Sequence, residues 1–297
     1  MAWRSVVIEN PAHLKLRDNK MIIRQEEDVA IPLEDISTLV LDSYGITISQ
    51  NLLAELSSAG VSTVICDSKH LPSATLMPYS QASRGAKVAK VQLSLSAPTK
   101  KQLWRKNIIQ KIANQAAILA KNNYPSEDLV ELSRTVRSGD ISNNESTAAR
   151  IYFDRLLQDS TRRKPTWFNS ALNYGYAIVR SNIARSIAAH GLIASVGINH
   201  HSELNQYNLV DDLIESFRPL VDDFIVSTAA SRHISTDDFE VLSKTDRHLI
   251  VDILNQNVII QSRKYPIRLA TDIMVDSFVK AISEDDVDEL LLPIVIS

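Results

Sequence analysis

Cysteine is nearly missing from this chain, with Cys66 the only one among 297 residues. A lone thiol excludes an internal disulfide and a cysteine-built zinc cage. Set in Val64-Ile65-Cys66, it reads as a small buried hydrophobe. Glycine and proline are scarce too, at seven and ten residues, which argues against long disordered linkers. The longest apolar run, Leu290 to Ile296, is far too short to span a bilayer. Met1-Ala2-Trp3-Arg4 lacks the apolar stretch of a signal peptide, so a cytoplasmic protein with no membrane partner is expected. There is no Walker loop, no GxGxxG after a strand and no nucleophile elbow, which removes the commonest nucleotide and serine-hydrolase chemistries. Excess positive charge is absent as well. The net charge of −3 weighs mildly against nucleic-acid binding, without excluding a local basic face.

What is present is ordinary in bulk and uneven in detail. Apolar residues make up 44% and charged residues 23%, as in globular proteins generally. Acids crowd the C-terminal end at Glu284, Asp285, Asp286, Asp288 and Glu289. Bases cluster at Arg84, Lys87 and Lys90, at Lys100, Lys101, Arg105 and Lys106, and at Arg162, Arg163 and Lys164 just before Trp167-Phe168. Bases beside aromatics can hold a nucleic-acid backbone and stack bases, although a solvated loop is the more frequent meaning. The Lys100–Lys111 cluster reads as the polar face of an amphipathic helix that needs no partner.

Periodicity divides the chain into residues 1–75, a small β-domain; 76–97, a connector rich in serine; and 98–297, a mainly helical domain, an α+β multidomain fold. Short β-rich runs fall at Trp3–Glu9, His13–Leu16, Met21–Gln25, Ser37–Leu41 and Val61–Cys66, with a turn at Asp18-Asn19-Lys20 and a helix over Gln50–Ala59. Helical spacing begins after Pro98. It predicts helices from Leu103 to about Asn122, Ser142–Gln158, Asn169–Ala189, Asn208–Phe217 broken by Pro219, Asp237–Leu242, Thr245–Asn255 and Pro266–Ile282. Ala171, Gly175, Ala177 and Ala184 suggest close helix packing in the third.

Glu145 carries the chemical interest. Ala148, Ala149, Tyr152, Phe153 and Leu156 follow it on one helical face, so its carboxylate extends an apolar stripe and should point inward. An isolated buried charge is very costly, so it must be paired, hydrogen-bonded or metal-bound. A second acid and a histidine from elsewhere would complete an oxygen and nitrogen site for a divalent cation. A plainer reading competes: Ser142-Asn143-Asn144-Glu145 has the form of a capping box. Of His200 and His201, one is expected to be solvated. Asp211, Asp212 and Glu215 suit the start of a helix and are spaced to converge, whereas Asp222 and Asp223 read as solvated loop acids.

These segments resemble the CRISPR-associated spacer integrases, the core subunit of the adaptation complex. Glu145-Ser-Thr-Ala-Ala-Arg-Ile-Tyr-Phe is similar to their glutamate helix and Asn173-Tyr174-Gly175-Tyr176-Ala177-Ile178 to their central helix. Gly197-Ile198-Asn199-His200 and Asn208–Pro219 are similar to their histidine and second-acid segments. Trp3–Val7, Ile31–Ile36 and Leu71–Pro78 fit the branch associated with type II systems, and the likeness covers nearly the whole chain. It implies a small N-terminal β-domain that dimerises and a helical catalytic domain with one metal site. Glu145, His200 and Glu215 are the implied ligands and catalytic residues, with Mn²⁺ or Mg²⁺ as the ion. Some branches place an aspartate at the position of Asp212, which leaves its role open. Asn199 stands where this branch often has another histidine, and Ser216 where proline is common. The implied activity is metal-dependent DNA cleavage and insertion of DNA fragments into the repeat array by 3′-hydroxyl transesterification. The implied partners are DNA, a second copy in a homodimer, the small ferredoxin-like adaptation subunit and the RNA-guided effector nuclease of the same system. A DNA-binding scaffold without catalysis, with Glu145 a cap and His200 a core histidine, is the competing expectation. A hydrolase of a small substrate using the same ligands is a third.

Overall fold

Alternating apolar residues and short polar turns build the first part of the chain into two small sheets. The computed structural model describes residues 4–78, 84–158, 160–236, 238–239 and 241–296. It divides into two units, Met1–Ser83 and Arg84–Ser297. The first holds β1 (Arg4–Ile8), β2 (Ala12–Arg17), β3 (Lys20–Arg24), β4 (Asp28–Pro32), β5 (Ile36–Leu41), β6 (Ile46–Ile48), α1 (Gln50–Ser58), β7 (Ser62–Cys66) and β8 (Pro72–Leu76). One sheet runs β1-β5-β7-β8, parallel except for β8, and the other β4-β3-β2-β6. The β2–β3 hairpin turns on Asp18 and Asn19, both with positive φ, the geometry that matches the twist of paired strands. Leu14, Met21, Ile23, Ile36, Leu39, Leu52 and Leu56 form a common buried core. Cys66 is half-buried, at the end of β7.

The second unit is helical: α2 (Gly85–Leu93), α3 (Ala97–Lys121), α4 (Glu127–Thr135), α5 (Asn144–Leu157), α6 (Trp167–Ala189), α7 (Asn208–Leu213), α8 (Arg218–Ser231), α9 (Lys244–Val251) and α10 (Ile267–Glu284), with a hairpin of β9 (Asn257–Ile260) and β10 (Arg263–Pro266). Thus a strand-rich region precedes a helical one, as the periodicity indicates. Two long helices organise this unit. Ser96 caps α3 by accepting from Thr99 N, with Pro98 in the first turn, and Thr166 caps α6 by accepting from Asn169 N. α3 packs on α4, α5 and α8, and α6 on α7, α8, α9 and α10. No helix among the described residues is long and apolar enough to cross a membrane.

Several elements differ from the sequence expectation. The 72–96 stretch carries β8 and α2 rather than bare connector. α2 is held by Gln92, whose side chain is buried against the backbone of Ile193 and Val196. Pro219 does not end a helix. It lies in the first turn of α8, where its missing N–H has no partner to lose, and α7 passes into α8 through a 3-10 turn at Ile214–Ser216. A helix over Asp237–Leu242 does not form at residues 238, 239, 241 and 242, while Asp237 and Glu240 lie outside the described residues. Phe239 and Val241 are exposed there and only Leu242 is buried among these described residues, too little apolar contact to stabilise a short helix.

Gly175 sets the spacing of α6 against α8. A Cβ at this position would lie 2.6 Å from Val221 Cγ1 and 3.6 Å from Ile250 Cγ2. Gly175→Ala should therefore cost about 1–3 kcal/mol of stability in urea unfolding through overpacking. Val221→Ala in the same chain should recover part of that loss, and strictly additive costs would reject the contact.

Candidate active site

Lys111 stands at the centre of the polar chemistry in the helical unit. It lies on the α3 stripe that also buries Trp104, Asn107, Ile108 and Gln115, and only 6% of it is exposed. Its Nζ donates to Glu145 Oε1 at 2.7 Å and to Glu215 Oε2 at 2.5 Å. Burial works against a charged lysine here, but the two carboxylates outweigh it and hold the Lys111 pKa above the ordinary value. Glu215 is raised by its own burial, yet Lys111 and Arg218 together bring it below the usual carboxylate range. Arg218 Nε donates to Glu215 Oε1 at 2.8 Å. The reading of Lys111 as part of a solvated helix face is thus corrected. Its signal in the sequence was its place, four residues from both Asn107 and Gln115 on a stripe that α3 buries.

Glu145 reaches this point because another residue caps its helix. Gly139, Asp140 and Asn143 all take left-handed backbone, and Asn143 makes no side-chain cap. The Asp140 carboxylate accepts from Asn144 N at 2.9 Å and Glu145 N at 3.0 Å, satisfying two free amides of the first turn. The Ser142 capping box does not form, and the Glu145 carboxylate is left to face Lys111. Ala148, Tyr152 and Leu156 are buried on the same stripe, as the period requires.

His200 is set by a loop folded around one carboxylate. Asp212 accepts from Ile198 N at 2.6 Å, Asn199 N at 3.1 Å, His200 N at 3.0 Å and His200 Nδ1 at 2.8 Å. Gly197 permits this wrap, since a Cβ there would lie 2.3 Å from the His200 carbonyl and 2.6 Å from Asp212 Oδ2. Buried amides complete the frame: Gln92 donates to Ile193 and Val196, Asn208 to Ser195 and Ser202, and Asn107 to the Asp212 carbonyl. The Asp212 hydrogen bond holds the His200 pKa above the ordinary histidine value against partial burial, and the charges of Glu215 and Asp211 add to it. With Nδ1 engaged, Nε2 has no hydrogen-bond partner among the described residues. A carboxylate behind a histidine is the arrangement that orients a metal-ligating imidazole. His201 is exposed, as expected of one of the pair.

The three acids of this segment do not converge. Asp211 pairs with Arg180 at 2.6 and 3.0 Å, Asp212 folds the histidine loop, and only Glu215 enters the site. Asp222 is not a solvated loop acid. It is buried on α8 in a short hydrogen bond from the Tyr176 hydroxyl, and burial pushes its pKa up to about 6 despite Tyr176 and Arg162. Arg162 is not a free basic side chain either. It donates to Asn169 and Asn173 and packs over the rings of Phe153 and Tyr176. Arg163 remains exposed.

A divalent ion suits this donor set in kind: two carboxylates already face one cation, the Lys111 ammonium, and the His200 imidazole has Nδ1 engaged and Nε2 without a hydrogen-bond partner among the described residues. Among the described residues, no three His, Cys, Asp or Glu side chains yet converge closely enough to hold one ion. The His200 ring instead meets Trp104 edge-on at 5.7 Å, two helical turns from Lys111 along α3.

The family model for CRISPR associated protein Cas1 matches residues 5–259. The chain belongs to the Cas1 family. A CRISPR-associated endonuclease Cas1 of Neisseria meningitidis serogroup C is 35% identical over 99% of this chain and 96% of its own length. A Cas1 protein of Thermotoga maritima superposes with a TM-score of 0.74 at 16% identity, covering 94% of this chain and 97% of that one. A casposase bound to integration product gives 0.79 at 19% identity, covering 95% and 91%. At these identities the two structures speak for the fold alone, a Cas1 fold.

Two measurements test the polar layout. In an NMR titration, His200 should show a pKa above about 6.5, and Asp212→Asn should bring it to that value or below. A raised folded-state pKa adds stability that is present below about 6.5 and lost as pH rises through the folded value, so this contribution should vanish in Asp212→Asn. For Asp222 the sign is the same, since its folded-state pKa is also raised. The folded state holds this proton up to about pH 6 while the unfolded chain releases it near the ordinary carboxyl value, so the stability it contributes is full below about pH 4 and is lost as pH rises through about 6. Asp222→Asn should raise stability at pH 8 by on the order of 1–3 kcal/mol in urea unfolding, and by less at pH 5. An equal effect at both pH values would count against a strained carboxylate.

Proposed function

We propose that this Cas1 protein is a divalent-metal-dependent DNA endonuclease and integrase of CRISPR adaptation, which joins the 3′-hydroxyl ends of a captured DNA fragment to the repeat array by transesterification. The observation that carries this reading is the pair Glu145 and Glu215 turned onto one cation, with Glu145 released from helix capping by Asp140. A full-length relative named as a CRISPR-associated endonuclease supports the activity. Structural neighbours described as a casposase with its integration product, a Cas6-RT-Cas1–Cas2 complex and a Cas1–DNA complex support strand transfer, the small adaptation subunit and DNA as partners. A homodimer formed through the β-unit and contact with the effector nuclease complete the proposed assembly.

Glu145, Glu215 and Nε2 of His200 would hold the ion, Mn²⁺ or Mg²⁺. When bound, it supplies Lewis-acid polarisation of the scissile phosphate and eases ionisation of a 3′ oxygen. Asp212 keeps the His200 proton on Nδ1, so that Nε2 presents its lone pair. Arg218 neutralises the second oxygen of Glu215 and is fixed over the Tyr176 ring at 4.8 Å, which stops the glutamate from rotating out of the site.

Glu145→Gln keeps the size of the side chain and removes its charge. It should leave the fold intact, at a cost of about 1–2 kcal/mol for the weakened bond to Lys111. Strand transfer and Mn²⁺ binding should both be lost. The assay uses the purified chain, its small partner subunit, a fragment with 3′-hydroxyl ends and repeat DNA, with and without Mn²⁺. His200→Ala should behave likewise, whereas His201→Ala should keep most of the activity. Wild-type integration by Glu145→Gln would sink the metal assignment at this residue and the mechanism built on it, whereas DNA binding with no strand transfer by the wild-type chain would favour a DNA-binding scaffold.

A further inference from the structure

The ammonium of Lys111 occupies the space between the two carboxylates on which a divalent ion must also depend. Nζ lies 2.7 Å from Glu145 Oε1 and 2.5 Å from Glu215 Oε2. A divalent ion sits at about 2.0–2.2 Å from carboxylate oxygens, so ion and ammonium cannot both fit between the same two atoms. Two carboxylates this close repel one another unless a cation separates them. Lys111 supplies that cation from within the chain, on the buried stripe of α3. The third donor is elsewhere: His200 lies against Trp104, and the described residues form no three-ligand cluster. Arrival of the ion, approach of His200 and departure of the ammonium are therefore coupled. Glu145 is the more exposed of the two acids, with 30% of its side chain open against 7% for Glu215, so the way out for Nζ runs past Glu145. Lysine suits an exchangeable tenancy, as a compact charge on a flexible four-carbon stem. Glu215 keeps Arg218 after Lys111 leaves.

We propose that Lys111 is an internal stand-in for the divalent ion, a positioning residue that holds Glu145 and Glu215 face to face while the ion is away and yields its place when the ion binds. This rests on the metal-dependent reading of the site. It makes lysine and ion competitors for the same pair of oxygens. The ammonium set free is then a positive charge at the mouth of a site that receives a phosphodiester.

The test measures Mn²⁺ binding by calorimetry and thermal unfolding in EDTA or Mn²⁺, on the full chain without DNA, for wild type, Lys111→Met, Lys111→Gln and Lys111→Arg. In EDTA the Met and Gln variants should unfold at lower temperature than wild type, and Mn²⁺ should raise their midpoints further than it raises that of wild type. Their Mn²⁺ affinity should be about tenfold tighter, because the coupling between ion and ammonium is gone. Lys111→Arg keeps a cation in place and should bind Mn²⁺ within a few-fold of wild type. If a variant unfolds in EDTA, it is folded in Mn²⁺ and titrated with chelator, and the affinity of the folded site follows once its unfolding free energy, measured by urea, is added back. A lysine that merely supports the fold predicts weaker or unchanged Mn²⁺ binding on its removal, and that result overturns the inference alone. No saturable Mn²⁺ binding by wild type overturns the metal reading and this inference together.

Discussion

The helical unit depends on one buried cation held between two acids. Lys111, Glu145 and Glu215 come from α3, α5 and the 3-10 turn before α8, and their meeting ties these three elements at a single point. Removing one member of a buried charged pair costs about 3–5 kcal/mol, because the remaining charge is left without a partner. Such an arrangement contributes more to register than to net stability. It tolerates no slippage of α3 against α5 or of the 3-10 turn against either. Two of the three, Glu145 and Glu215, are also the carboxylates of the proposed metal site.

Around this point the structure assigns each polar group a separate duty. Asp140 serves the amides at the head of α5, which frees Glu145. Asp211 serves Arg180, which lies over the ring of Tyr207. Asp212 serves four N–H groups of the histidine loop, and Gly197 leaves the room it needs. Gln92, Asn107 and Asn208 hold the rest of that loop by backbone contacts from α2, α3 and α7. The bonds from Asp140, Gln92, Asn107 and Asn208, and three of the four to Asp212, satisfy backbone groups that would otherwise be left unpaired.

A second layer backs the first. Arg218 links Glu215 to the Tyr176 ring, and the Tyr176 hydroxyl ends on buried Asp222. Arg162 closes the layer over Tyr176 and Phe153. An Arg beside aromatics in the sequence suggested a nucleic-acid surface; in the fold Arg162 is the lid of an internal stack, and Arg163 is the exposed base of that cluster.

Features that depend on short-range pattern are legible in the amino-acid order. Period two over the first strands and period 3.6 after Pro98 decide the α+β division, and Asp18-Asn19 decides a hairpin, because these follow from local backbone geometry. The inward face of Glu145 followed from the same period. Its partner did not, since Lys111 stands 34 residues earlier on another helix. Local rules also erred where a distant group took over. Asp140 displaced the capping box, Pro219 opened a helix in place of closing one, and the Tyr176 hydroxyl drew Asp222 into the interior. Which of the five neighbouring acids faces Glu145 is settled by partners distant in sequence: Arg180 takes Asp211, the amides of the histidine loop take Asp212, the Tyr176 hydroxyl takes Asp222, Lys121 takes Asp223, and Lys111 takes Glu215.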